Sequence, residues 1–150
     1  MKFPKNKYHE FTWIKGDPII GEGTWIGPFC IIDGTGGLTI GSQCDISSGT
    51  HIYTHSSVKR CVSGKKFLAD GNINRDEINI ASVSIGNNTF IGPNSVISMG
   101  VRIGSHCVIG ACSFVNSDIS DNSIYAGSPA KKIGEVKFNE DKTVIYEYEK

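Results

Sequence analysis

The side chains best able to do acid–base or nucleophilic chemistry are four histidines (His9, His51, His55, His106) and five cysteines (Cys30, Cys44, Cys61, Cys107, Cys112). An ordinary histidine pKa is about 6.5, so a neutral imidazole can accept a proton near neutral pH. His51 and His55 fall in one short string, HIYTHSS. Their HxxxH spacing aligns imidazoles only on a helix, and nothing here reads as one, so no metal site is expected. No CxxC pair occurs, which removes a zinc ribbon or thioredoxin-type motif. Adjacent Lys131 and Lys132 form a local cationic site near the C-terminus.

The elements that must position these side chains follow from a repeat. Stepping by six from Ile85 meets Ile91, Ile97, Ile103, Ile109 and Val115. The same step joins Ile20, Ile26 and Ile32, and then Ile40, Ile46 and Ile52. Two residues earlier stand Thr24, Cys30, Leu38, Cys44, Thr50, Val83, Thr89, Ser95, Val101, Cys107 and Ser113, mostly small or β-branched. A period of six fits neither a 3.6-residue helix nor a heptad. It fits short strands joined by tight corners, with sides about 20 Å long. Both repeated positions lie on one side of the pleat and point inward. Cys30, Cys44 and Cys107 therefore read as small packing residues rather than redox groups. Cys112 lies at a corner and Cys61 outside the repeat.

The repeat breaks twice. Asp33–Leu38 (DGTGGL) carries two extra residues, and the chain then leaves the repeat over residues 57–82. A loop that long within a compact domain is usually functional or disordered. Both breaks follow the third strand of a coil, so they should stack on one edge. If the chain returns at Ile85 on the next face in order, the residues after the aliphatics sort by face. The first face reads Gly21, Gly41, Gly86, Gly104, and the second Gly27, Ser47, Gly92, Gly110. The third reads Asp33, Tyr53, Ser98, Asn116 and has no glycine. Outward side-chain chemistry is thus expected on the third face. His55 lies just beyond it, at the mouth of the excursion.

This pattern resembles the hexapeptide repeat of the left-handed β-helix acyltransferases, over residues 17–134. The implied fold is all-β: a left-handed parallel β-helix with one long loop. The hand comes from the resemblance, since parallel crossovers are otherwise right-handed. In the galactoside and maltose O-acetyltransferases of that family, a histidine near the start of a long loop is the general base. It takes the proton of an acceptor hydroxyl that attacks acetyl-CoA. His55 is the best match, slightly nearer its strand than in those members; His51 is the next candidate. Asp33 could orient His55, bind the acceptor or merely shape an Asp-Gly turn. Tyr53 is a candidate for acceptor contact. The galactoside members use an asparagine of the preceding coil there, and none stands near, so the acceptor site differs. The stretch IGACSFVNSDISDNSIYAGSPAKKIG resembles the family's closing signature. By that resemblance Ala111 and Asn116 meet the pantetheine arm, Lys131 and Lys132 the CoA phosphates, and Phe90 the acceptor or cofactor pocket. The implied partners are acetyl-CoA, a sugar or nucleotide-sugar acceptor, and two further copies of the chain. N-acylation of an amino sugar and a non-catalytic scaffold are the alternatives.

The whole-chain numbers agree with one such domain. There are 150 residues, with 15 basic and 15 acidic side chains. That balance argues against a nucleic-acid partner. No run approaches ~18 apolar residues, so no membrane span is expected. The N-terminus has no apolar signal core, and a cytoplasmic protein is expected. Residues 1–16 are expected to cap the first coil, and residues 135–150 to add a terminal strand or hairpin.

Overall fold

A computed structural model describes residues 6–149. β1 (Trp13–Lys15), β2 (Ile19–Ile20), β3 (Trp25–Ile26) and β4 (Ile31–Asp33) open a solenoid. β5 (Leu38–Ile40), β6 (Asp45–Ile46) and β7 (His51–Ile52) follow the first break. The excursion holds β8 (His55–Ser56), α1 (Val58–Val62) and β9 (Asn79–Ile80). β10 (Val83–Ile85), β11 (Phe90–Ile91), β12 (Val96–Ile97), β13 (Arg102–Ile103), β14 (Val108–Ile109) and β15 (Phe114–Val115) resume the winding. β16 (Ser123–Gly127), β17 (Ala130–Phe138) and β18 (Val144–Tyr148) close the chain.

The strands sort into three stacked faces. The first runs β2-β5-β10-β13, the second β3-β6-β11-β14-β16-β17-β18, and the third β1-β4-β7-β12-β15. Coil-to-coil pairing is parallel, and the aliphatics sit in register. Ile20, Ile40, Ile85 and Ile103 form one ladder. Ile26, Ile46, Ile91 and Ile109 form the second. The excursion thus returns on the first face, as the face assignment requires. The third ladder is Ile14, Ile32, Ile52, Ile97 and Val115. Its first rung corrects the expected cap: residues 13–15 belong to the solenoid, because Ile14 stands six before Ile20. Residues 1–5 of that cap lie outside the described residues, as does Lys150 of the C-terminal extension.

The corners have their own chemistry. Phe29, Gln43, Asn88, Asn94, His106 and Cys112 adopt left-handed backbone, with φ between 52° and 61°. Each immediately precedes a small inward residue. Such conformations are costly for most side chains and tolerated by asparagine. The small residue then donates across to the next coil. Thr24 Oγ1 donates to the Gly41 carbonyl at 2.7 Å, Thr89 Oγ1 to Gly104 at 2.9 Å, and Cys44 Sγ to Gly86 at 3.1 Å. Burial raises the thiol pKa of Cys30, Cys44 and Cys107, as suits packing residues. The glycines after the aliphatics serve the same stacking. A Cβ at Gly86 would lie 2.5 Å from the Ser105 nitrogen, and one at Gly92 2.6 Å from that of Ala111.

The C-terminal extension begins earlier than residue 135. After β16 the chain reverses, and β17 pairs antiparallel with β16 from Ala130 onward. β17 and β18 then form the expected hairpin and widen the second face. No helix among the described residues is long and apolar enough to cross a membrane.

The ladders dominate stability. Ile91 is fully buried, whereas Ile20 is only partly so. Ile91→Ala should cost about 2–5 kcal/mol in urea denaturation, and Ile20→Ala distinctly less.

Candidate active site

The two breaks stack on the edge of the third face. Residues 33–37 leave after β4, and the Gly36 N–H donates to Thr54 Oγ1 at 2.8 Å. A Cβ at Gly36 would run into the Thr54 carbonyl, so only glycine allows this approach. The excursion starts as a two-stranded antiparallel ribbon, with His55 opposite Ile80 and Ser56 opposite Asn79. The Ala81 N–H donates to the Thr54 carbonyl at 3.0 Å and closes its base. His55 therefore stands on an anchored strand.

Asp33 points outward from β4 yet is 2% exposed, because the stacked breaks cover it. Its Oδ1 accepts from the Thr35 N–H at 3.2 Å and the Thr35 hydroxyl at 2.6 Å. Its Oδ2 accepts from the Thr54 N–H at 3.1 Å and from His55 Nδ1 at 2.6 Å. The Thr54 hydroxyl lies 3.0 Å from both Oδ2 and the Asp33 carbonyl. Burial alone would raise the Asp33 pKa. The donors from Thr35, Thr54 and His55 outweigh it and hold the carboxyl well below the usual range. An ionised Asp33 only accepts, so Nδ1 of His55 carries a hydrogen, and in the neutral ring Nε2 is the acceptor nitrogen.

Asp33 thus combines two of its expected roles. One oxygen shapes the turn and the other orients His55. A carboxylate has about four lone-pair directions, and these donors use them.

His55, Asp33 and Tyr53 line one cavity of about 220 Å³ with Trp13, Lys15 and Ile31. His51 lies outside it, beside a smaller cavity with Phe11, Trp13 and Phe29. Its ring meets Tyr53 edge-on, and it has no carboxylate partner among the described residues. The residues expected to bind CoA are not gathered there. Phe90 is half-exposed on the second face, lining a cavity of about 340 Å³ with Val136, Phe138 and Tyr146. Lys131 and Lys132 lie on β17 in the same sheet, and Lys132 is paired with Glu135 at 2.7 Å. Ala111 is exposed just after β14, and Asn116 is exposed at the end of β15, two strands from β7. Sequence reasoning missed Thr54, Thr35, Trp13 and Lys15. The available signal for the last two was Ile14, in register between them.

Residues 82–117 match the family model described as bacterial transferase hexapeptide (six repeats). The chain carries the hexapeptide repeat that this model describes. Its prism is the left-handed parallel β-helix that this repeat forms. Among the hexapeptide-repeat relatives, Escherichia coli (strain K12) galactoside O-acetyltransferase is 35% identical over 66% of this chain and 48% of its own length. A solved hexapeptide-repeat acetyltransferase from Vibrio cholerae O1 biovar eltor, complexed with acetyl coenzyme A, is 30% identical with a TM-score of 0.65. The match covers 80% of this chain and 61% of that one. AntD, an N-acyltransferase from Bacillus cereus in complex with dTDP and 3-hydroxybutyryl-CoA, is 25% identical with a TM-score of 0.71. There the match covers 84% of this chain and 66% of that one. This hexapeptide-repeat chain spans about half the length of the galactoside enzyme.

The Asp33 contacts set an acid-dependent stability. Its carboxyl is held below the unfolded value of about 3.9, so its contribution is full above that pH and fades as pH falls toward the folded value. The wild-type urea midpoint should therefore drop more steeply than that of Asp33→Asn between about pH 5 and pH 3.

Proposed function

We propose that this chain, acting as a single hexapeptide-repeat domain, transfers an acetyl group from acetyl-CoA to a sugar hydroxyl, with His55 as general base. The observation that carries this reading is the 2.6 Å contact between His55 Nδ1 and the buried Asp33 carboxylate. It fixes the tautomer and leaves Nε2 free beside the cavity. Nε2 takes the proton of the acceptor hydroxyl while that oxygen bonds to the thioester carbonyl carbon. The tetrahedral oxyanion collapses, the carbon–sulfur bond breaks, and the imidazolium returns its proton to the departing thiolate. The products are the sugar ester and CoA. No covalent enzyme intermediate is needed, which suits a site without a buried nucleophile at His55.

Three likenesses support the class of reaction: the galactoside O-acetyltransferase relative, the acetyl-CoA-bound Vibrio structure, and the CoA-bound AntD structure. A mutant of AntD in complex with dTDP-4-amino-4,6-dideoxyglucose and coenzyme A also favours a second reading, in which the acceptor is the amine of a nucleotide-linked sugar. A hydroxyl needs more help in losing its proton than a neutral amine does. A matched panel of hydroxyl and amino sugars separates the two.

We assign the pantetheine arm to Ala111 and Asn116, an apolar contact to Phe90, and the CoA phosphates to Lys131 and Lys132. Lys131 leads that pair, because Glu135 already engages Lys132. None of the five lines the His55 cavity within one chain. That separation supports a site shared between copies, a homotrimer in this reading, in which CoA lies between neighbours and the His55 of one meets it; the protein is read as cytoplasmic.

His55→Ala should lower CoA release by roughly 10²- to 10⁴-fold at saturating substrates, and near-normal turnover would sink the base assignment. Lys131→Ala should weaken CoA binding in calorimetry, with a smaller loss for dephospho-CoA. Equal losses would remove Lys131 from the 3′-phosphate.

A further inference from the structure

We propose that Trp13 and Lys15 form an acceptor subsite for a sugar carrying an anionic group, a phosphate or a carboxylate. This rests on the reading of His55 as the base beside the same cavity. Trp13 and Lys15 flank the inward Ile14 on β1, so both point outward on the third face. Both line the cavity that His55 lines. At about 220 Å³ it falls below the ~300 Å³ lower end for drug-sized ligands, so it suits a single ring.

Its walls divide by chemistry. Trp13 is 44% exposed and presents an indole face, continued by Ile31 on the neighbouring strand. The C–H-rich face of a pyranose can pack on such a surface, burying apolar area on both sides. Lys15, two residues further along β1, brings an ammonium to the same lining. It has no ion-pair or hydrogen-bond partner among the described residues. Asp33 is its register neighbour, yet the Asp33 carboxylate is buried and its lone pairs are taken by Thr35, Thr54 and His55. Lys15 is therefore the uncommitted charge of the cavity. A lysine ammonium offers three donors and a point charge, which fits a phosphate or carboxylate oxygen. Tyr53 supplies the remaining polar group, a hydroxyl 3.4 Å from His51 Nδ1 and free to turn to a ligand.

The test reads binding rather than turnover. The chain has two tryptophans, so Trp25→Phe leaves Trp13 as the sole indole reporter. Its fluorescence is titrated with methyl hexoside, hexuronate, hexose 1-phosphate and inorganic phosphate, and calorimetry on the unsubstituted protein checks the ranking. The anionic sugars should bind about tenfold more tightly than methyl hexoside, the size of one hydrogen bond to a charged group. The better of hexuronate and hexose phosphate identifies the anion. Lys15→Ala should erase the preference, and Lys15→Arg should keep it. Equal affinity for neutral and anionic sugars, no sugar binding at all, or phosphate alone binding as well as hexose phosphate would each overturn the subsite. His55→Ala should keep the preference for the anionic sugar over methyl hexoside while losing turnover. No preference for anionic sugars in the unsubstituted protein, with normal turnover, refutes the subsite alone, and normal turnover in His55→Ala refutes the base alone.

Discussion

Every coil of this prism must come within backbone hydrogen-bonding distance of the next on three faces at once. That single demand selects most of the sequence. It puts one large aliphatic on each inner face, because two would overfill the prism and none would leave a void. It puts a small Thr, Ser or Cys at the corners of the second and third faces, where a side chain can donate to a carbonyl of the coil alongside, and Leu38, Val83 and Val101 at those of the first. It requires one left-handed residue per corner, met by Asn94 and Asn88 but also by Phe29 and His106. It excludes a Cβ after most aliphatics of the first two faces, as at Gly86 and Gly92. The cysteines and the glycine excess are thus two outcomes of one packing rule.

The candidate site exists where the rule is relaxed. On the third face the residues after the aliphatics are not glycine, and two insertions leave from the same edge. Their stacking covers Asp33, and Thr54 links the two insertions by bonding both Gly36 and Asp33. A carboxylate buried in this way could destabilise the fold, but its donors more than offset the desolvation. The result is an imidazole held in one tautomer by a group that solvent barely reaches.

Much of this was legible in the sequence. The aliphatic ladders, their faces and the two breaks follow from one six-residue period, whereas His55 came from the family resemblance and Asp33 beside it carried three open readings. What escaped has physical reasons. Ile14 was hidden because its neighbours Trp13 and Lys15 make the segment look polar and aromatic, although they are simply its outward flanks. Thr54 and Thr35 could not be singled out, since their role depends on two insertions meeting in space. The reversal at Ala130 falls inside a stretch whose composition still reads as solenoid. The distribution of the CoA candidates over two faces depends on where the last coil ends, which no period predicts.

The half-buried state of Ile14 and Ile20 has a consequence for dynamics. In a solenoid each coil is held by its neighbours, so the terminal coil has support from one side and opens first. Here that terminal coil carries Trp13 and Lys15, one wall of the cavity beside His55. Opening of the first coil and loss of that wall are one event. A molecule seated there binds only the closed form, and so shifts the fraying equilibrium of the N-terminal end without touching the centre of the prism.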